Sequence, residues 1–275
     1  MVVGQADYID GVCERGDPLP DALRVRERIA TLADTVDVVG LTDNHAGQAR
    51  MSPLAAVALA REQGVKTVVH VSCRDRNRLA LQAQVVGAAA LGSEGILCVY
   101  GDPVDGVSHV GDLTATALIA NAKQWGAPQP LAIGAVANPF AHDVDREIRL
   151  LERKLAAGAE FIQSQMVFDL GLLREFLKRT ADLLIDVRFF ASIALLRSER
   201  MAERARRLPG CLLPDPAYRQ ISLGGGLELA AELATQLAAI EGVDALHIYP
   251  LGAEEATREV ASSFRLARGA PAQRR

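Results

Sequence analysis

Polar clusters recur along the chain, each directly after a short run of β-branched apolar residues. They are Thr42-Asp43-Asn44-His45, His70-Val71-Ser72-Cys73-Arg74-Asp75-Arg76, Tyr100-Gly101-Asp102, Asn138-Pro139 with His142 close behind, Gln163-Ser164-Gln165, Ser192 leading to Arg197-Ser198, and His247-Ile248-Tyr249. Asp10 and Glu14 lie near the end of an earlier such run. Carboxylates so placed suit proton transfer or stabilisation of a developing cation. Amides offer a donor and an acceptor together, which suits the edge of a heterocycle. Each cluster also has a structural reading. Thr42-Asp43-Asn44 and Gly101-Asp102-Pro103 are turn and cap sequences, and Asp75 or Asn77 suits a helix N-cap. His70 and His247 lie inside the apolar runs, where a hydrogen-bonded core histidine is expected. Strand alternation puts Gln163 and Gln165 on one face and Ser164 on the other. A structural amide network and an amide ligand for a heterocycle both satisfy that pattern.

Several chemistries lack their residues. No G-x-S-x-G elbow is present for a serine hydrolase, and no H-E-x-x-H or histidine cluster marks a metal, so no metal site is expected. The four cysteines (Cys13, Cys73, Cys98, Cys211) are far apart and form no C-x-x-C pair, which fits a reducing cytoplasm. Gly224-Gly225-Gly226 reads as a connection between helices rather than a phosphate loop.

The elements that must position these clusters follow from periodicity. Strands are expected at Tyr8–Val12, Val36–Leu41, Thr67–Ser72, Gly95–Tyr100, Leu131–Ala137, Phe161–Met166, Val187–Ile193 and Ala245–Tyr249. Helices are expected at Asp21–Leu32, Pro53–Gln63, Asn77–Leu91, Leu113–Lys123, Val144–Ala156, Leu172–Ala181, Ser198–Arg206, Leu227–Ile240 and Glu254–Ala267. Gly64, Gly92, Gly126, Gly158 and Gly242 are placed to close helices in a left-handed conformation. Eight strands, each followed by helix, predict an α/β fold of the (β/α)8 TIM-barrel type, with a doubly wound open sheet as the alternative. The chain reads as a single domain over 1–267 with a disordered tail over 268–275. In either fold, chemistry collects at the strand ends where these clusters lie. A net charge of −4 gives no general attraction to nucleic acid, and no apolar stretch approaches the roughly 20 residues of a membrane helix. The N-terminus lacks the basic start and apolar core of a signal peptide, which also points to the cytoplasm. Aromatic residues are only 4% of the chain, so its apolar mass is aliphatic, as in helices packed on a parallel sheet.

Taken in order, the clusters resemble the methylenetetrahydrofolate reductase family. Val39-Gly40-Leu41-Thr42-Asp43 is similar to the end of that family's second strand, and Val69-His70-Val71-Ser72-Cys73 to its P-H-L-T-C segment. Tyr100-Gly101-Asp102-Pro103 resembles its R-G-D. Glu152-Arg153-Lys154-Leu155-Ala156-Ala157-Gly158-Ala159, with Gln163-Ser164-Gln165 and Phe168-Asp169, resembles its K-x-K-V-x-A-G-A…T-Q…F-D block. His247-Ile248-Tyr249 resembles its closing H-F-Y. The likeness runs from about Asp10 to Leu251 and is greatest to a divergent branch of the family.

The resemblance implies a (β/α)8 barrel that reduces 5,10-methylenetetrahydrofolate to 5-methyltetrahydrofolate, with FAD carrying hydride from NADH or NADPH to the folate. It implies Asp10 as the acid that helps open the methylene bridge, with Glu14 as a substitute, and Asp102 as the carboxylate tuning charge beside the reacting rings. Gln165 and Tyr249 would contact the folate. Thr42, His70, Tyr100, Gly101, Asn138, His142, Arg153 and Lys154 fall at flavin-holding positions, the last two as cations for the diphosphate. Arg74, Arg76 and Arg78 are placed to meet an anionic folate tail. Asp10 stands where the family has glutamate, Tyr100 where it has arginine, Asn138 where it has an aromatic residue, and Leu150 where it has a polar flavin contact. Two alternatives follow from these departures: a folate-dependent methyltransferase or demethylase component beside a corrinoid protein, and a non-catalytic folate-binding barrel. The family also implies a homo-oligomer.

Overall fold

The structure is a computed structural model and describes residues 4–6, 18–44, 50–102, 106, 108–126 and 131–269. A short strand, Gly4–Ala6 (β1), precedes helix Pro18–Ala33 (α1). Strands and helices then alternate: Val38–Leu41 (β2), Pro53–Glu62 (α2), Thr67–Ser72 (β3), Arg78–Ala90 (α3), Gly95–Val99 (β4), Ala115–Trp125 (α4), Ala132–Ala137 (β5), Val144–Ala156 (α5), Phe161–Met166 (β6) and Leu170–Thr180 (α6). Strand Arg188–Ala194 (β7) leads into three helices, Glu199–Arg206 (α7), Asp215–Ser222 (α8) and Gly226–Leu237 (α9). Ala245–Tyr249 (β8) and Glu254–Ala267 (α10) follow.

The seven strands β2 to β8 form a curled, all-parallel sheet in chain order. The three-residue β1 is hydrogen-bonded to β2 through Gln5↔Val38 and to β8 through Gln5↔His247. The expected strand at Tyr8–Val12, with Asp10 on it and Glu14 behind, lies outside the described residues.

Strand parity sorts the side chains. Val39, Val69, Ile96, Ile162, Phe189 and Leu246 pack under the helices in the main core. Their neighbours Val38, Val68, Leu97, Phe161, Phe190 and Ala245 form a separate apolar cluster inside the curl of the sheet. Phe161 and Phe190 meet edge to face there, with ring centroids 5.6 Å apart. Gly134 makes room for them, since a Cβ at that position would lie 2.1 Å from Phe161 Cζ. Two residues further along, the same face turns polar on three of these strands: Val68 is followed by His70 and Ser72, Phe161 by Gln163, and Ala245 by His247. An apolar floor therefore supports a polar chamber at the C-terminal ends of the strands.

Helix starts are fixed by local chemistry. Asn77 Oδ1 accepts from Ala80 N at 2.9 Å, so Asn77 and not Asp75 caps α3, and Ser198 caps α7. Helix α8 was not expected from the sequence. A third cluster, with Met166, Leu196, Leu213 and Ile221, lies beneath the α7–α8 excursion. Helix α9 begins so close to the sheet that a Cβ at Gly226 would lie 1.8 Å from Leu196 O. Gly64, Gly92, Gly158 and Gly242 have the expected positive φ, whereas Gly126 has φ −76° and caps α4 in a right-handed conformation. At the C-terminal end, Arg268 donates to the carbonyls of Val243 and Asp244 at 2.9 and 2.7 Å. Residues 270–275 lie outside the described residues. Among the described residues, no helix is long and apolar enough to cross a membrane.

Candidate functional site

A cavity of about 400 Å³ opens at the C-terminal ends of the strands. Thr42, His70, Tyr100, Gly101, Asp102, Asn138, Lys154, Gln165 and Tyr249 line it, joined by Asp43, Asn44, Ser72, Arg74, Glu147, Gln163 and Ser164.

One wall is a lock between two loops. Arg76 grips Asp43 with both guanidinium arms, Nη1 to Oδ2 at 2.5 Å and Nη2 to Oδ1 at 2.9 Å. Asp43 Oδ2 also accepts from Ser72 N at 3.0 Å. Arg74, only 3% exposed, reaches Asp75 with Nε at 2.7 Å and Nη2 at 2.6 Å. Its remaining donors go to the carbonyls of Asp102 at 3.0 Å and Asn44 at 3.2 Å. The guanidinium hydrogen bond from Arg74 holds the Asp75 carboxyl below the usual range and raises the arginine in turn. Gly101 has φ +94°, and a Cβ there would lie 2.4 Å from Ser72 Oγ and 2.8 Å from Arg74 Cβ. Only glycine lets this turn pass over the Arg74 loop and deliver Asp102 to the cavity mouth.

The opposite wall departs from simple alternation. The β6–β7 register shifts between Gln163 and Met166, and Ser164 lines the cavity together with both glutamines. Hydroxyls take over from the ladder here: Ser192 N donates to Ser164 Oγ at 2.9 Å, and Ser192 Oγ donates to Ser164 O at 2.7 Å. With that proton committed, Ser192 Oγ accepts from His247 Nδ1 at 2.8 Å, which fixes the Nδ1–H tautomer of this fully buried histidine.

The two glutamines have different surroundings. Gln165 is engaged at both ends of its amide, donating to Pro209 O at 3.2 Å and accepting from Met166 N at 2.9 Å. Gln163 is 2% exposed and donates through Nε2 to Tyr249 Oη at 3.3 Å. Its Oε1 is buried with no hydrogen-bond partner, and so is Thr42 Oγ1. An unpaired buried polar atom costs about 1–3 kcal/mol, so these two atoms at the cavity wall point to a ligand.

The third wall comes from β5 and α5. Asn138 Nδ2 donates to Gly210 O at 3.1 Å, and Asn138 N donates to Glu147 Oε1 at 3.0 Å. Lys154 Nζ donates to Val136 O at 2.6 Å and lies 3.9 Å from Glu147 Oε1. Burial pushes the Lys154 ammonium below the ordinary lysine range.

A family model described as methylenetetrahydrofolate reductase matches residues 22–265, a span that contains every residue lining the cavity. The chain belongs to that family. Methylenetetrahydrofolate reductase 1 of Schizosaccharomyces pombe is 24% identical over 222 residues, covering 71% of this chain and 35% of its own length. The chain thus spans about a third of that relative. A solved protein of Clostridium thermocellum, described as binding two copies of 5-methyl-5,6,7,8-tetrahydrofolic acid, superposes with a TM-score of 0.73 at 12% identity, over 96% of this chain and 94% of that one. A 2,3-dimethylmalate lyase of the PEP mutase/isocitrate lyase superfamily superposes less closely, with a TM-score of 0.52 at 13% identity, over 100% of this chain and 83% of that one.

Against the family's pattern, the structure gathers Thr42, His70, Tyr100, Gly101, Asp102, Asn138, Lys154, Gln165 and Tyr249 around one cavity, while His142 and Arg153 are exposed and do not line it. Asp43 and Glu147 complete the site without having been assigned a role from the sequence, and Gln163, read there as an amide ligand or a member of a structural network, lines it too. Glu147 and Lys154 are seven residues apart on α5, two turns that put both on one face, and this spacing was a readable signal. The described residues do not fit a flavin dinucleotide. Side-chain cations are one way to hold its diphosphate, and the two that line the cavity are turned to protein groups: Arg74 to Asp75, and Lys154 to Val136 O and Glu147. Of the two other arginines expected to meet an anionic tail with Arg74, Arg76 is paired and Arg78 is exposed. Arg76 holds Asp43, and Arg78 lies over the Trp125 ring at 5.9 Å.

Proposed function

We propose that this cavity takes a reduced folate and that the chain reduces 5,10-methylenetetrahydrofolate to 5-methyltetrahydrofolate, with NADH or NADPH as the source of hydride. The observation that carries the reading is the family match, which spans the whole polar cavity. The binding of 5-methyltetrahydrofolic acid by the structural neighbour supports the same ligand class here. We further read the scaffold as a single-domain (β/α)8 barrel closed by Gly4–Ala6, which the pairing of that strand with both β2 and β8 supports.

In this reading the methylene carbon gains a hydride, its bond to N10 breaks, and N10 takes a proton. The carbon passes through an iminium, whose positive charge the Asp102 carboxylate at the mouth would stabilise. Asp10, lying outside the described residues, would help supply the proton. Gln165 and Tyr249 would meet the folate from the far wall. No step is assigned to FAD, because the described residues do not fit its diphosphate.

The test is oxidation of NADH and NADPH followed at 340 nm, with and without methylenetetrahydrofolate, beside an absorbance spectrum of the purified protein. Folate-dependent oxidation by colourless protein is expected. Tetrahydrofolate binding without oxidation would overturn the reductase reading in favour of methyl transfer or simple binding. A yellow protein whose activity follows its flavin content would overturn the conclusion about FAD.

A further inference from the structure

We infer that the outer face of α3 is an interface covered by a second copy of this chain, with the two α3 helices packed antiparallel about a two-fold axis. Residues 79–93 hold no charged side chain, although α3 lies on the outside of the sheet. The residues that α3 turns outward are Leu79, Ala83, Val86 and Ala90, all exposed, with Leu79 75% and Val86 45% open to solvent. At about 100° per residue these four fall within about 60° of arc. Their spacing, in steps of four, three and four residues, is that of the seam between two paired helices. An ordinary outer helix looks different: α5 presents Asp145, Arg146, Arg149, Glu152 and Arg153 to solvent. The flanking helices continue the apolar surface. Both α2 and α4 pack against α3, and neither carries a charge over 53–60 or 115–122. Leu54 of α2 rests on α3 at Gly87, where a Cβ would lie 2.7 Å from Leu54 Cδ1. A contiguous exposed apolar face of this kind marks an interaction site.

The order of residues along the seam selects a second copy as the occupant. In an antiparallel pair centred midway between positions 83 and 86, Leu79 meets Ala90 of the partner subunit, and Ala83 meets the partner's Val86. Each of these contacts sets a larger side chain against a small one, which lets facing layers interdigitate. A two-fold axis requires such self-complementarity, because every contact is made twice. A parallel pair would instead set Leu79 on Leu79 and Arg78 on Arg78. Charge agrees with the antiparallel arrangement. Exposed Arg78 opens α3, and Glu94, with a side chain 52% exposed, follows its end. Antiparallel packing carries each Arg78 towards the partner's Glu94 and brings opposite ends of the helix dipoles together. Helices that lie on membranes carry lysines and arginines along the polar face, whereas Arg78 is the one basic residue of α3. Three helices of about 15–20 Å at a spacing of about 10 Å give the contact room for the roughly 800 Å² per partner of a standard interface.

The experiment is sedimentation equilibrium of the whole chain at micromolar concentration, with Ala83→Glu and Val86→Lys beside the wild type. The wild type should sediment at about twice its 29.4 kDa. Both variants place a good helix former at an exposed position, so far-UV circular dichroism should stay unchanged. Each should weaken the dimer by about tenfold or more, because a lone charge is then buried in the seam. Position 83 of one copy faces position 86 of the other, so an equimolar mixture of the two variants should dimerise more tightly than either alone. That recovery depends on the antiparallel register, and a general structural defect would not produce it. If Ala83→Glu does not fold, Val86→Lys decides the point alone. A monomeric wild type, variants that dimerise as tightly as the wild type, or a mixture no tighter than its components would each overturn the inference. A monomeric wild type that floats with anionic vesicles would assign the face to lipid and overturn it equally.

Discussion

The Asp43–Arg76 lock joins two of the loops that line the cavity. Asp43 has a side chain only 1% exposed, and its partner's is 18% exposed. Arg76→Met would leave that carboxylate with the Ser72 N–H, at 3.0 Å, as its one remaining donor among the contacts described. Breaking a buried pair by removing one partner costs about 3–5 kcal/mol. The residual exposure of Arg76 lets water approach, which favours the lower end, about 3 kcal/mol. For a chain of this size each kcal/mol lowers the melting temperature by about 2–4 °C, so a fall of about 6–12 °C is expected. Asp43→Asn with Arg76→Met removes both charges and keeps an acceptor for Ser72 N, so the double variant should lose less than Arg76→Met alone. Urea unfolding measures this directly as a shift in midpoint at constant slope. A loss below about 1 kcal/mol for Arg76→Met, or a double variant as unstable as the two single losses summed, would refute the idea that one charge stabilises the other. The same variants report on function. Thr42 and Asn44 flank Asp43, so tetrahydrofolate affinity should fall with Arg76→Met and recover in the double variant.

Four further outcomes follow from the same geometry. Gly101→Ala forces a Cβ to within 2.4 Å of Ser72 Oγ at φ +94°, so unfolding midpoints should show a loss of about 1–3 kcal/mol. Asp102→Ala should lower folate-dependent NAD(P)H oxidation by about 10²-fold or more if its carboxylate stabilises the iminium, and unchanged turnover would remove that role. Burial lowers the Lys154 ammonium, so the unfolded chain binds its proton more tightly, and the wild type should gain stability over Lys154→Met as pH rises towards the ordinary lysine value of 10.5. A pH-independent difference would argue against that burial. Burial raises the thiols of Cys73 and Cys211 to about 11 and that of Cys98 further, so in a Cys13→Ser background Ellman's reagent at pH 7.5 should label these three slowly until the chain unfolds.

Where the site sits was legible in the sequence, and what each residue does there was much less so. Strand ends announce themselves because an apolar run must stop where its backbone leaves the packed sheet, and polar residues there have water or a ligand to meet. Helix starts were legible at Asn77 and Ser198 because a cap is a contact between near neighbours in the chain. Helix α8 was missed because Pro214-Asp215-Pro216 reads as a turn, although a proline in the first turn is compatible with a helix. Ion pairing is a different matter. Arg74 and Arg76 look alike in the sequence as cations for an anionic tail, and only the approach of the β2 and β3 loops gives Asp43 to Arg76 and leaves Asp75 to Arg74. Helix phase could have been read more closely. Residues 147 and 154 share a face of α5, whereas Arg153 is turned about 100° from Lys154 and faces solvent. The two glutamines show the limit most sharply. Their type and spacing assign them the same part, and Gln165 holds the position that the family resemblance favours. The β6–β7 register shift and the Leu208–Cys211 turn draw Gln165 into the protein's own hydrogen bonds. That leaves Gln163, one repeat deeper and hydrogen-bonded to Tyr249, with one end of its amide buried and unpaired. Which polar atoms the fold leaves unsatisfied at this cavity is thus a property of non-local packing that no single motif carries.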